Sequence, residues 1–81
     1  MRIKALRGSL EKKLVKFGLV QKFAKAKALF EENPRHPSLN TELLEPKEWR
    51  AYSFRIDRKY RAQFIIVNGE VEITNITLHY Q

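Results

Sequence analysis

The pair Asn68-Gly69, set between two runs of alternating apolar and polar residues, constrains this chain more than any other feature. A type I′ turn needs two consecutive residues at positive φ, which Asn and Gly tolerate and β-branched residues resist. A two-residue loop at this point pairs Val67 with Glu70, Ile66 with Val71 and Phe64 with Ile73. Register then exposes a conflict. Val71 and Ile73 are odd-numbered, whereas Ile76 and Leu78 are even-numbered, so an uninterrupted strand over 70 to 80 strands one pair in water unless both faces are covered. A bulge near Thr74-Asn75 resolves the conflict, because it flips every later side chain and returns Ile76 and Leu78 to the core. Thr77 and His79 then share a face with Gln63 and Arg61, and on the preceding strand with Ser53 and Arg55. That face is expected to be polar and basic. The opposite face, carrying Tyr60, Phe64 and Ile66, is expected to receive the helices.

Upstream of Pro46 the apolar period is 3.6 rather than 2. Leu10, Leu14 and Phe17 predict a helix over 9 to 17, with Ser9 as its N-cap and Gly18 as its stop. Leu19, Phe23, Ala26 and Phe30 predict a second helix over 19 to 32, ended by Asn33-Pro34. The short link at Gly18 makes the two an antiparallel hairpin. Ile3 and Ala5 alternate with Arg2 and Lys4 as a short first strand, and Thr41 to Leu44 form a turn or a short strand. Tyr52, Phe54 and Ile56 mark a strand that turns at Asp57-Arg58 into the strand beginning at Tyr60. The expected fold is α+β, with a helical hairpin packed on one face of a mostly antiparallel sheet.

Residues 1 to 81 are expected to form one domain, since 81 residues are too few for two cores and 43% hydrophobic residues are enough for one. The chain has no cysteine, which excludes disulfides and thiolate metal sites. Two histidines 43 positions apart give no metal-ligand spacing, and no metal or cofactor is expected. No apolar run reaches the length of a membrane span and no signal-peptide core follows Met1, so the expected compartment is the cytoplasm.

Sixteen Lys and Arg against nine Asp and Glu leave +7 on this small surface, a field that attracts polyanions. The excess is concentrated in residues 1 to 32, which hold nine basic and three acidic side chains and include Lys12, Lys13 and Lys16. The second half carries Arg50, Arg55, Arg58, Lys59 and Arg61, and the planar fork of Arg grips phosphate better than a Lys point charge. Cleaving RNA without a metal needs a base for the 2′-OH, a cation for the charge on phosphorus and an acid for the leaving 5′-oxygen. Glu42, Arg61 and His79 can supply those parts, with Arg55 beside Arg61 and with Tyr80 offering a hydroxyl or a stacking surface. His36, between Arg35 and Pro37, reads as loop structure. Trp49 and Tyr52 read as core aromatics, with base stacking as the alternative.

The order of these segments, with Asn33-Pro34-Arg35-His36-Pro37-Ser38-Leu39, Tyr52-Ser53-Phe54-Arg55-Ile56, Tyr60-Arg61-Ala62 and His79-Tyr80, resembles the RelE/ParE toxin superfamily over essentially the whole chain. The likeness is strongest to its YoeB branch. The resemblance implies a toxin of a type II toxin-antitoxin system, a ribosome-dependent mRNA endoribonuclease held inactive by an antitoxin protein. It implies Glu42 as general base, Arg61 as phosphate stabiliser, His79 as proton donor and Tyr80 as an RNA-positioning group. The product would be a 2′,3′-cyclic phosphate, formed on mRNA in the ribosomal A site next to ribosomal RNA, by a toxin that is a monomer or antitoxin-bound. Arg50, Arg55, Arg58, Lys59, Lys12, Lys13 and Lys16 would contact RNA. Gln81 follows the pair that usually closes a YoeB chain, and the Glu45–Trp49 loop differs in composition, so Glu45 and Glu48 stand as alternatives to Glu42. Two alternatives to the nuclease are a ParE-like gyrase inhibitor and an inactive member of the superfamily.

Overall fold

The computed structural model describes residues 1 to 78. Two helices, α1 (Gly8–Lys16) and α2 (Val20–Glu32), precede four strands: β1 (Glu42–Leu43), β2 (Tyr52–Arg55), β3 (Tyr60–Val67) and β4 (Glu70–Leu78). The sheet order is β1-β2-β3-β4, and every neighbouring pair is antiparallel. Single 3₁₀ turns at Pro37–Leu39 and Lys47–Trp49 flank β1.

The turn at Asn68-Gly69 sets the register as expected, with Val67 opposite Glu70, Ile66 opposite Val71 and Phe64 opposite Ile73. The next pair is Gln63 with Asn75, so Thr74 is the extra residue of a bulge, and its Oγ1 donates to the carbonyl of Gln63 at 3.3 Å. Beyond it Ala62 faces Ile76 and Arg61 faces Thr77. The bulge buries Ile76 completely. Leu78 departs from the expectation: it pairs with Tyr60 but remains 44% exposed. Ile66 is exposed as well, because it sits at the turn end of the hairpin, near Asn68-Gly69, and forms part of a cavity wall instead.

The helical hairpin is ended at its turn by backbone geometry. Gly18 adopts φ +67°, the Leu19 N–H donates to the Leu14 carbonyl at 2.8 Å, and the Gly18 N–H donates to the Val15 carbonyl at 3.1 Å. This is the Schellman pattern, and its companion apolar contact joins two buried residues, Leu14 and Leu19. Ser9 is not the N-cap. The helix begins one residue earlier, with Arg7 at the cap position in extended geometry and no side-chain cap bond. Arg7 is tied to the sheet at this point, since its Nη2 donates to the Thr74 carbonyl at 3.0 Å.

The expected first strand is reduced to one parallel bridge between Ile3 and Val71, with Lys4 N–H to Val71 O and Val71 N–H to Arg2 O both at 2.9 Å. Ile3 is buried, and its N–H is taken by the Glu31 carboxylate at 2.8 Å, so the segment serves as an anchor rather than a fifth strand. Between helices and sheet lies one cluster of buried side chains centred on Phe23, Phe30, Phe54 and Phe64, with ring centroids 5.0 to 6.3 Å apart. Offset and edge-on contacts of this kind add to burial. Tyr52 stacks on Phe64 at 5.3 Å and so joins the core, whereas Trp49 is 73% exposed beside the β1–β2 connection. No helix among the described residues is long and apolar enough to cross a membrane.

Candidate functional site

Cross-strand partners put their side chains on the same face of a sheet. Glu42 faces Ser53, Ser53 faces Gln63, Arg55 faces Arg61 and Arg61 faces Thr77. These residues therefore share the face turned away from the helices. The bulge at Thr74 is what puts Thr77 there.

Arg61 is the centre of this face, and it is buried, with 4% of its surface exposed. A guanidinium in that position needs partners for its donors. Its Nε donates to the Ser53 hydroxyl at 2.9 Å, and its Nη2 donates to the Asn40 carbonyl at 2.6 Å and to the Ser53 carbonyl at 3.2 Å. Nη1 makes no hydrogen bond to a described residue. Desolvation lowers the Arg61 pKa, the negative charge of Glu42 opposes that shift and the positive charge of Arg55 adds to it. The group stays protonated at any physiological pH.

Asn40 ties the base candidate to the cation. It sits in the left-handed region at φ 45°, where Asn is better tolerated than most residues. That backbone turn aims its carbonyl at Arg61, and its Nδ2 donates to Glu42 Oε1 at 3.3 Å. The 3₁₀ turn before it is capped by His36, whose Nδ1 accepts from the Ser38 N–H at 3.2 Å and from the Ser38 hydroxyl at 2.8 Å. His36 is thus the loop-structure residue that the sequence suggests.

Of the expected site residues, the fold brings together Glu42, Arg55 and Arg61. Glu42 is the carboxylate whose charge is felt at Arg61; Glu45 and Glu48 lie further along the connection to β2 and are exposed. Arg50 closes the 3₁₀ turn beside Trp49, and Arg58 and Lys59 occupy the β2–β3 turn, all three exposed. Lys12, Lys13 and Lys16 belong to α1, on the helical side of the sheet, where Lys13 donates to Asn75 at 3.1 Å. They are not part of the Arg61 face. His79 and Tyr80 lie outside the described residues. Ser53 and Asn40 are the site residues that sequence reasoning passed over: Ser53 is visible there only as one member of the polar face and Asn40 only as a loop residue. Among the described residues no group of three His, Cys, Asp or Glu could hold a metal ion.

A cavity of about 600 Å³ opens on the other side of β1, between the end of α2 and the loop before the sheet. Its walls include Phe30, His36, Tyr52 and Ile66, and it meets the Arg61 face only at Asn40 and Glu42.

No protein-family model matches this sequence, and no curated protein matches it. Solved structures do match the fold. A YoeB/ParE toxin from Agrobacterium tumefaciens superposes with a TM-score of 0.72 at 16% identity, over 99% of this chain and 100% of that one. This chain has the fold of the YoeB/ParE toxins. A YoeB-YefM complex from Staphylococcus aureus gives a TM-score of 0.70 at 17% identity, again over 99% of this chain and 100% of that one. A heterotetrameric YoeB-YefM toxin-antitoxin complex from the same organism gives 0.67 at 17% identity with the same coverage. At these identities the YoeB/ParE likeness is one of backbone path, and the chemistry rests on the residues described above.

Proposed function

We propose that this chain is the toxin of a type II toxin-antitoxin pair and acts in the cytoplasm as a ribosome-dependent mRNA endoribonuclease. The observation that carries the reading is the coupling of Glu42 to Arg61, a carboxylate and a buried guanidinium fastened to one residue, Asn40. Both structural neighbours from Staphylococcus aureus are toxins in complex with an antitoxin, YefM, and the +7 charge here suits an acidic antitoxin as well as RNA.

In the proposed reaction the Glu42 carboxylate takes the proton of a ribose 2′-OH. The 2′-oxygen attacks the adjacent phosphorus, the P–O5′ bond breaks, and His79 delivers a proton to the departing 5′-oxygen. The products are a 2′,3′-cyclic phosphate and a 5′-hydroxyl, so atoms and charge balance without a redox partner. Arg61 bears the charge that builds on the phosphoryl oxygens, and burial strengthens it, because a guanidinium out of bulk water acts through a lower dielectric. Tyr80 positions the RNA. The scheme assigns proton transfer to side chains alone.

The test is expression of wild type, Glu42→Gln, Arg61→Ala and His79→Ala in cells, with primer extension on a reporter mRNA. The nuclease reading expects discrete cleavage sites with wild type and none with the variants. Glu42 is exposed, so its substitution leaves folding out of the comparison. Growth arrest with intact mRNA and induced DNA damage would support a gyrase inhibitor, and neither effect would indicate an inactive member.

A further inference from the structure

Arg55 takes part in two places at once. Across the sheet its backbone partner is Arg61. Along the edge of β2, beyond the two residues that β1 covers, it also lines a cleft of about 320 Å³ between α2 and the strand. Ala26, Leu39 and Ile56 form the cleft floor and are all buried, and Leu29 is half-buried beside them. Lys22, Lys25, Arg55 and Ser38 form the rim.

The cleft contains one carboxylate, Asp57, and it is already engaged. Its Oδ1 accepts from the N–H groups of Lys59 at 2.9 Å and Tyr60 at 2.8 Å, and its Oδ2 accepts from Lys22 Nζ at 3.2 Å. Lys25 and Arg55 have no carboxylate within ion-pair distance among the described residues. Two uncommitted cations thus overlook an apolar floor. The volume is at the lower end of small-molecule sites, about the size for one nucleotide. An apolar floor with a cationic rim suits that ligand, because the base can lie on hydrocarbon while the phosphate meets the charges.

We infer that this cleft is a nucleotide subsite for single-stranded RNA, one step along the strand from the phosphate at Arg61. Lys25 and Arg55 hold its phosphodiester and the base lies over Leu29 and Ile56. The strand's direction past Arg61 rests on the endoribonuclease reading; the affinity of the cleft does not. Antiparallel partners are about 5 Å apart at Cα, so Arg55 stands next to Arg61 and places the cleft beside the phosphate at Arg61.

The probe is a short, uncleavable 2′-O-methyl oligoribonucleotide, titrated by fluorescence anisotropy across a salt series. Each single-strand phosphate contact contributes about 0.7 to the slope of log K against log[salt]. Lys25→Gln and Arg55→Gln should each reduce that slope by about 0.7, while Lys27→Gln, which removes the same charge from a position on α2 outside the cleft, should leave it unchanged. A duplex of equal length should bind more weakly than the single strand, since its bases are stacked away from the floor. Equal effects of Lys27→Gln and Lys25→Gln would show diffuse attraction and overturn the subsite, as would equal affinity for the duplex. Because the probe is not cleaved, its binding is read apart from catalysis and the Lys25 and Arg55 variants isolate the cleft: wild type that binds as expected but cuts no mRNA would refute the nuclease and leave the subsite standing.

Discussion

Removing the Ser53 hydroxyl tests the physical basis of the site most directly. Ser53 and Arg61 are both buried, and the Ser53 hydroxyl accepts from Arg61 Nε at 2.9 Å. Ser53→Ala deletes one oxygen and opens little space, so its cost is the loss of a hydrogen bond to a charged donor in a dry place, about 1.5–3 kcal/mol. In a domain of this size each kcal/mol shifts the melting midpoint by roughly 4–8 °C, which predicts a fall on the order of 10 °C. Arg61→Met removes the charge instead, and on that background the neighbouring Ser53→Ala change should cost less than about 0.5 kcal/mol, because no donor is left to orphan. Urea unfolding of the four proteins closes a double-mutant cycle with a coupling of about 1.5–3 kcal/mol. A Ser53→Ala variant within ~0.5 kcal/mol of wild type, or additive single effects, would refute the claim that this face is organised around a buried guanidinium.

Gly18→Ala should cost about 1–2 kcal/mol by urea unfolding, all of it from the backbone, because φ is +67° and an added Cβ meets nothing within 4 Å. Deleting Thr74 closes the bulge and leaves Ile76 two positions from Ile73, still opposite Ala62 on the core face, so a dispersed amide spectrum in NMR is expected; loss of that dispersion would refute the register in which Thr74 is the one extra residue. Burial pushes the Asp57 carboxyl up, but the N–H groups of Lys59 and Tyr60 and the Lys22 ammonium outweigh it and hold the pKa below the ordinary 3.8. A folded-state value below the unfolded one stabilises above 3.8 and is lost as pH falls through the folded value, so the stability gap between wild type and Asp57→Asn should shrink below pH 3.8 in acid unfolding series. Asn40→Gly keeps the left-handed backbone and the carbonyl to Arg61 but loses the amide to Glu42; if the nuclease reading holds, the cleavage rate should fall while the melting midpoint is retained.

Local rules carried far in this chain because its strongest signals are local. Asn68-Gly69 chooses a turn, the turn chooses a register, and the parity change between Ile73 and Ile76 then demands an extra residue. Gly18 and the apolar stripes on either side of it place the helical hairpin to within a residue or two. The polar face with Arg61, Arg55 and Thr77 follows from those same two steps. The start of α1 was not legible: the cap position falls to Arg7, which is tied to a carbonyl 67 positions away, and not to the neighbouring Ser9. Trp49 and Leu78 were not legible either: nothing in a strand's alternation says how far two short helices reach over the sheet.

Patterning along the chain determined which side chains of this protein would share a face, since a strand has period 2 and one inserted residue inverts it. It could not say that Arg61 would be drawn under the surface, because burial of a charge depends on whether acceptors converge from elsewhere. Only the folded chain brings the Asn40 carbonyl across 21 positions and the Ser53 oxygens from the next strand onto one guanidinium. Those acceptors offset the desolvation that a solitary arginine could not bear, and they turn a basic residue on a sheet into a fixed, partly dry cation beside a carboxylate.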